Sequence, residues 1–242
     1  MTLLQRGPDG DYVARAWTDK IVVCIASGPS LTADDIDGVR VAHAADQIRI
    51  IAINDNYLVA PFADLHYYAD ERWQRWHRAG IARTWPWVRF TADEARSAFE
   101  NFAGQRCTLT CTPAGPNEYR LRHSLPDGIS TDPRGVATGW NTGHQALNIA
   151  LLSGARSIML LGYDAAPVAG RKHAFGDHPD GSVVPYPFML DALSKASHTI
   201  KAMGVRVINC SPVSALDCFE KMPLDAALDS LQPHQAAAAI SA

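Results

Sequence analysis

The chain has no stretch of about 18 consecutive apolar residues, so no membrane span is expected. Its start carries Arg6, Asp9 and Asp11 where a secretion signal needs an apolar core, which points to a cytoplasmic protein. Blocks of basic residues are missing too. With 22 Lys+Arg against 25 Asp+Glu the net charge is −3, which argues against a general nucleic-acid coat but not against a local basic groove. The five cysteines are an odd count, and none forms a C-x-x-C pair. Cys107 and Cys111 are spaced C-x3-C, and Cys210 and Cys218 C-x7-C; neither resembles the C-x-x-C pair of a zinc knuckle. Cys24 and Cys210 sit in apolar segments, where a reduced, buried thiol is the ordinary state. Also missing are a Walker A loop, a G-x-G-x-x-G turn, an H-E-x-x-H pair and the G-x-S-x-G elbow of a serine hydrolase.

What is present is the composition of a folded domain, 47% hydrophobic and 19% charged over 242 residues. One domain over residues 1–225 is expected, with a C-terminal tail at 226–242 that is a peripheral helix or frayed through Ala236–Ala239. Continuous apolar runs at Ile21–Ala26, Ile48–Ile53, Ser157–Leu161 and Val205–Ile208 have the pattern of parallel strands covered on both faces. Helical stripes lie between them. Leu147, Ala150, Leu151 and Gly154 make one; Met189, Leu193, Ala196, Ile200 and Met203, stopped by Gly204, make another. Thr142-Gly-His-Gln145 has capping-box form, which starts a helix there. Alternating strands and helices imply an α/β doubly wound parallel sheet. Two segments rich in Pro and Gly, 112–139 and 165–188, break the alternation as long irregular loops. The second follows a strand directly and is placed as a lid over the carboxyl edge of the sheet, where ligands bind in such folds. With little apolar content it is expected to be mobile without ligand and to close over residues Gly28–Ser30.

The carboxyl edge carries three polar turns. The first strand runs into Ala26-Ser27-Gly28-Pro29-Ser30-Leu31, and a glycine turn before a helix offers backbone N–H groups to a phosphate. The second ends in Asn54-Asp55-Asn56, whose amides can read a base or sugar. The third unit ends in Asp70. Each turn alone is also ordinary connection and cap chemistry.

These segments together resemble a known superfamily, the one joining sialyltransferases of the CST-I/CST-II type with MptE-like (DUF115) proteins. The residues carrying the resemblance are Ile25 to Leu31, Ala52-Ile53-Asn54, Tyr68-Ala69-Asp70, Asn141-Thr142-Gly143, Ile158 to Asp164, and Val207 to Pro212. They span roughly residues 20–215, and Gly176-Asp177-His178-Pro179 is similar to uncharacterised phage-encoded members. The resemblance implies a Rossmann-like fold and a transferase, most closely a glycosyltransferase. It places a nucleotide-sugar donor on Ser27, Gly28, Pro29, Ser30 and Asn54, with Thr142 and Gly143 on its phosphate or ribose side. Asp70 stands where the sialyltransferases have an Asn. A lid histidine would deprotonate the acceptor hydroxyl and a lid tyrosine would assist the departing phosphate. His178, flanked by Asp177 and Asp180, is the first choice as base, with His173 and Tyr186 beside it.

Metal chemistry competes with this. His173, Asp177, His178 and Asp180 are ligand types without a fixed spacing, and Asp164 just past a strand suits Mg²⁺ with a diphosphate. The expectation is that no cofactor is required, with Mg²⁺ as the alternative. Trp73, Trp76, Trp85 and Trp87, interleaved with Arg72, Arg75, Arg78 and Arg83, suit core packing or a subunit contact of a homo-oligomer, and alternatively an anion groove. Three functions remain open: a nucleotide-sugar glycosyltransferase acting on a glycan or a modified DNA base, a Mg²⁺-dependent diphosphotransferase using ATP, and a non-catalytic nucleotide-binding protein.

Overall fold

Side chains alternate across a strand, so one that is apolar at every position must be covered on both faces. Residues Ile21–Ile25 show this directly. Ile21, Val23 and Ile25 enter one core, while Val22 and Cys24 enter the other. The structure is a computed structural model and describes residues 2–113, 115–182 and 184–231.

An antiparallel hairpin comes first, β1 (Leu4–Gly7) against β2 (Gly10–Val13). Next come β3 (Ile21–Ile25), α1 (Ala33–Ala44), β4 (Ile48–Ile53), a 3-10 turn (Asn54–Tyr57) and β5 (Leu65–Tyr68). Helix α2 (Glu71–Ala79), the hairpin of β6 (Arg83–Thr84) and β7 (Arg89–Phe90), and α3 (Ala92–Glu100) precede β8 (Gln105–Thr108). Then follow β9 (Glu118–Arg120), β10 (Arg122–Leu125), β11 (Gly135–Ala137), α4 (Thr142–Leu152) and β12 (Ser157–Leu161). The chain continues through α5 (Tyr186–Ala202), β13 (Arg206–Asn209), β14 (Glu220–Lys221) and α6 (Leu224–Leu231).

Eight strands form one sheet in the order β14-β13-β12-β3-β4-β5-β8-β9, with every pairing parallel. The expected α/β, doubly wound, Rossmann-like architecture is therefore present. From β3 the chain winds outward to β9, then returns to lay β12 on the other side of β3. The gap between the carboxyl ends of β3 and β12 is the topological switch point, the place such sheets bind ligands. Helices α4 and α5 bury Leu147, Leu151, Leu193, Ala196 and Ile200 on one face. On the other, α1, α2, α3 and α6 contribute Ile36, Val39, Trp73, Phe99, Leu224 and Ala227. At about 1.5–3 kcal/mol for each large apolar side chain buried, these two layers are what hold the sheet flat to its helices. Among the described residues no helix is long and apolar enough to cross a membrane.

The loop expected over 112–139 is corrected. Within it β9 extends the main sheet beside β8, and β10 pairs in parallel with β11. Strands of three or four residues, the last two separated by a connection carrying Pro126, Gly128 and Pro133, are too short to show a period. The helix start at Thr142 also shifts: Asn141 is the cap, its side chain accepting from the His144 amide at 2.8 Å, and Thr142 is the first helical residue. Capping boxes occur instead at Thr32–Asp35 and Thr91–Glu94. Helix α6 packs Leu224 and Ala227 into the core, and Ala236–Ala239 lie outside the described residues. Trp73 and Trp85 are core residues, while Arg72, Arg78 and Arg83 each meet a carboxylate, so no open cationic groove forms from them. All five cysteines are free thiols, four of them buried.

Candidate functional site

At the switch point the turns after β3 and β12 press together. The Gly28 amide donates to the Gly162 carbonyl at 2.9 Å. A Cβ on Gly28 would lie 2.4 Å from that oxygen and 2.6 Å from Asp164 Oδ2, so only glycine fits. Asp164 then closes the contact, accepting from the Ser30 amide at 2.8 Å and from the Ser30 hydroxyl. Burial pushes its carboxyl up and the two Ser30 hydrogen bonds work against that.

The phosphate cradle expected at residues 26–31 is therefore corrected. The amides of Ala26, Gly28, Ser30 and Leu31 all donate within the protein, and Pro29 has none. Helix α1 is no anion site either. Its N-terminus is closed by the Thr32–Asp35 box, with Asp34 and Asp35 in the first turn, and these carboxylates occupy the positive end of the dipole. Pro29 is buried and Ser30 faces Asp164; neither lines the cavity at this edge of the sheet.

Helix α4 behaves differently. Its first turn holds no acidic residue, and its opening residues Asn141, Thr142 and Gly143 line a cavity of about 330 Å³. Tyr163, just past β12, pins it in place by donating to the Gly143 carbonyl at 2.9 Å. Beside it stands Asn54, whose side-chain amide is 3.5 Å from the Thr142 hydroxyl. Asn54 has φ 51°, a left-handed conformation that Asn tolerates better than most residues. The backbone there is held from behind by His66, whose Nε2–H donates to the Asn54 carbonyl at 2.9 Å. Burial takes the His66 imidazole down to about 3, so it is the neutral donor tautomer.

Asn54 is the only member of its polar triplet to reach the cavity. Asp55 and Asn56 are fully buried. Asn56 donates to the Ile25 carbonyl and the Ser27 hydroxyl, both at 3.0 Å, tying β4 to the first turn. Asp55 accepts from Trp73 Nε1 at 2.8 Å and pairs with Arg83 and His77. Burial alone would raise its carboxyl; His77 and Arg83 hold it well below the usual range instead. Asp70 caps α2, accepting from the Trp73 amide at 2.7 Å, and also lines the cavity.

The lid over 165–188 is anchored, not loose. The Ala174 amide donates to the Ser27 carbonyl at 2.8 Å, and Ala174 and Phe175 are buried. Phe175 meets the Trp85 ring at 5.8 Å and the Arg83 guanidinium at 4.9 Å. Asp180 pairs with Arg72 on α2. Two buried residues suffice to dock a segment whose composition shows no periodicity, which corrects the expectation of a lid without buried area.

This docking brings the lid histidines together. Their rings are 4.6 Å apart; His173 lies parallel to Phe175 at 5.1 Å, and His178 stacks on Trp76 at 6.0 Å. His173 Nε2 and His178 Nδ1 are buried without a hydrogen-bond partner among the described residues. Burial lowers both imidazoles, with His178 adding to the effect on His173, which falls to about 4. Both are therefore neutral near pH 7. The expected orientation of His178 by Asp177 or Asp180 is corrected, since Asp180 accepts from Arg72 and from the Ser182 amide; aromatic rings orient the imidazole. Tyr186 opens α5, its hydroxyl 3.4 Å from the Lys172 carbonyl, and burial raises its phenol so that it stays protonated.

One cavity thus takes every expected site residue except Pro29 and Ser30. Trp140, Lys172 and Phe175 line it as well without having been singled out in the sequence; so do Asn141 and Tyr163, which lay in motif segments but were given no role there. Asn141 was discoverable, since Asn is a preferred cap one position before the Thr-Gly start. Among the described residues no group of three His, Cys, Asp or Glu side chains is placed to hold a metal ion. Both Asp164 oxygens accept from Ser30, and Asp70 Oδ1 accepts from Trp73, so the carboxylates nearest a bound phosphate are already engaged. Comparison with protein families, with curated proteins and with solved structures finds no match to this chain.

Proposed function

We propose that the chain is a glycosyltransferase-like transferase that takes a nucleotide-sugar donor into the switch-point cavity. One observation carries this reading. A single cavity is lined both by the uncharged opening turn of α4 and by two neutral lid histidines, each with a ring nitrogen that has no partner among the described residues. The first is a place for a phosphate and the second a place for a proton.

In this reading the donor phosphate sits on the Thr142 and Gly143 amides, where helix N–H groups and the dipole favour negative charge. Asn54 offers its amide to the sugar or base of the nucleotide. The acceptor hydroxyl oxygen forms the new bond to the anomeric carbon while the bond from that carbon to the phosphate oxygen breaks. His178 takes the hydroxyl proton, and the phosphate leaves with the electron pair, met by the α4 amides and the Tyr186 hydroxyl. The short sequence motifs read above as resembling those of CST-I/CST-II sialyltransferases suit the same assignment of roles. The ATP–Mg²⁺ alternative has less support, because Asp164 and Asp70 already serve Ser30 and α2.

The test is a panel of CMP- and UDP-sugars, followed by binding and by donor hydrolysis with and without EDTA. Binding and metal-independent turnover of one donor are expected. His178→Ala should then lower turnover by about 10²–10⁴-fold with nucleotide affinity nearly unchanged. Near-normal turnover in that variant removes His178 as the base and leaves His173 or Tyr186, and a panel with neither binding nor turnover overturns the reading.

A further inference from the structure

An anion entering the switch-point cavity meets two carboxylates on its wall, those of Asp70 and Asp164. The opening turn of α4 answers them with only about half an elementary charge of positive dipole. The two lid histidines are neutral and add nothing to it. Two lining side chains carry a full positive charge, Arg72 and Lys172. Arg72 is taken by Asp180. Lys172 is not, since among the described residues its ammonium has no carboxylate partner. One whole positive charge therefore stands unpaired on the cavity wall, and it is twice what the helix end supplies.

The chain holds this lysine on a fixed base. Ala169 and Gly170 have φ 49° and 76°, and around them Val168 and Arg171 exchange two backbone hydrogen bonds of 3.0 Å. Positive φ at both central residues makes this a tight hairpin turn of the primed type. Lys172 follows it directly. Two residues later the Ala174 amide donates to the Ser27 carbonyl at 2.8 Å, which ties the segment to the turn after β3. The Lys172 carbonyl itself lies 3.4 Å from the Tyr186 hydroxyl. With its backbone held on three sides, Lys172 keeps only its half-buried side chain free to adjust. Arg171, one residue earlier, is exposed and does not line the cavity.

Resting on the transferase reading above, we propose that Lys172 is the charged contact of the donor phosphate and, with Tyr186, forms the clamp on that phosphate as it departs. The bond from the anomeric carbon to the phosphate oxygen breaks with its electron pair on the oxygen, so the phosphate gains one negative charge. The α4 amides and the Tyr186 hydroxyl give it hydrogen bonds but no net charge. An ammonium gives both, and hydrogen bonds to charged groups are roughly twice as strong as neutral ones. The two carboxylates on the wall make the charge necessary as well as helpful, because an unpaired anion beside them is repelled.

The experiment sets CMP and UDP against cytidine and uridine, which lack the phosphate, and measures binding to the full chain and to Lys172→Met, Lys172→Arg and Arg171→Met. The unsubstituted chain should hold one nucleotide more tightly than its nucleoside. Lys172→Met should lower that preference by about 10–100-fold through weaker nucleotide binding, with nucleoside binding unchanged. Lys172→Arg should keep most of the preference and Arg171→Met all of it. Added salt should weaken nucleotide binding in the unsubstituted chain and much less in Lys172→Met. A merely structural role would move nucleoside and nucleotide affinity together, and that result overturns the proposal. An unchanged preference in Lys172→Met, or an equal loss in Arg171→Met, overturns it and leaves the donor reading standing. A chain that binds neither nucleotide nor nucleoside overturns the donor reading, and this proposal with it.

Discussion

A single hydrogen atom keeps Gly28 from colliding with the Gly162 carbonyl and the Asp164 carboxylate. The residue that the motif offers as a ligand contact is first of all a packing residue, since its absent side chain lets two loops meet at the switch point. Gly28→Ala should cost about 1–3 kcal/mol, the usual penalty for a methyl group forced into a filled space. A denaturant titration would show it as a lower midpoint; an unshifted midpoint would mean that the turns part without cost and that Gly28 is there for a ligand. Asn54 is the reverse case. It was legible as a site residue because a polar side chain after a buried strand must lie at the carboxyl edge, and the cavity does include it. Its neighbours Asp55 and Asn56 looked the same in sequence. A turn of 3-10 helix rotates them inward, where Asp55 meets Trp73, Arg83 and His77.

At the scale of elements the lid depends on Phe175, which joins the histidines to the buried Asp55–Arg83 pair. Truncating a buried phenylalanine removes about 3–5 kcal/mol of packing. In a lid, that loss acts on local opening rather than on global unfolding. Phe175→Ala should therefore raise the rate of protease cleavage within residues 176–182 by about 100-fold, with little change in the thermal midpoint. Unchanged cleavage would mean that other contacts hold the lid. The helix starts make a related point. Both α1 and α4 follow an edge turn, and in sequence either could hold a phosphate. The Thr32–Asp35 box closes α1 with negative charge, and α4, capped by neutral Asn141, stays open to an anion.

At the scale of the whole molecule, four histidines among the described residues are held neutral by burial: His66 down to about 3, His173 to about 4, and His144 and His178 lowered as well. In the unfolded chain each binds a proton as the pH passes the ordinary value of 6.5. The unfolded state then holds more protons than the folded one, so stability rises with pH in this window. It is complete above pH 6.5 and falls away toward pH 4 for His173 and pH 3 for His66. Asp164, with its raised carboxyl, acts in the opposite direction, but one group does not offset four. The thermal midpoint should fall steadily between about pH 6.5 and pH 5. A flat profile there would show these histidines to be reachable by water.

The sequence by itself determined the layered α/β plan, because a strand buried on both faces must be apolar at every position and each glycine stop is a local conformational event. The runs at Ile48–Ile53 and Ser157–Leu161 are strands over those same residues. It also brought most of the candidate residues to one cavity, since polar residues after such strands share one edge whatever the rest of the chain does. Tertiary structure alone decided which of those groups remain available to a ligand. The Ser30 amide is lost to Asp164, 134 residues away, and the Gly28 amide to the Gly162 carbonyl. Whether a donor is free depends on what the fold sets opposite it, and that partner comes from a distant part of the chain.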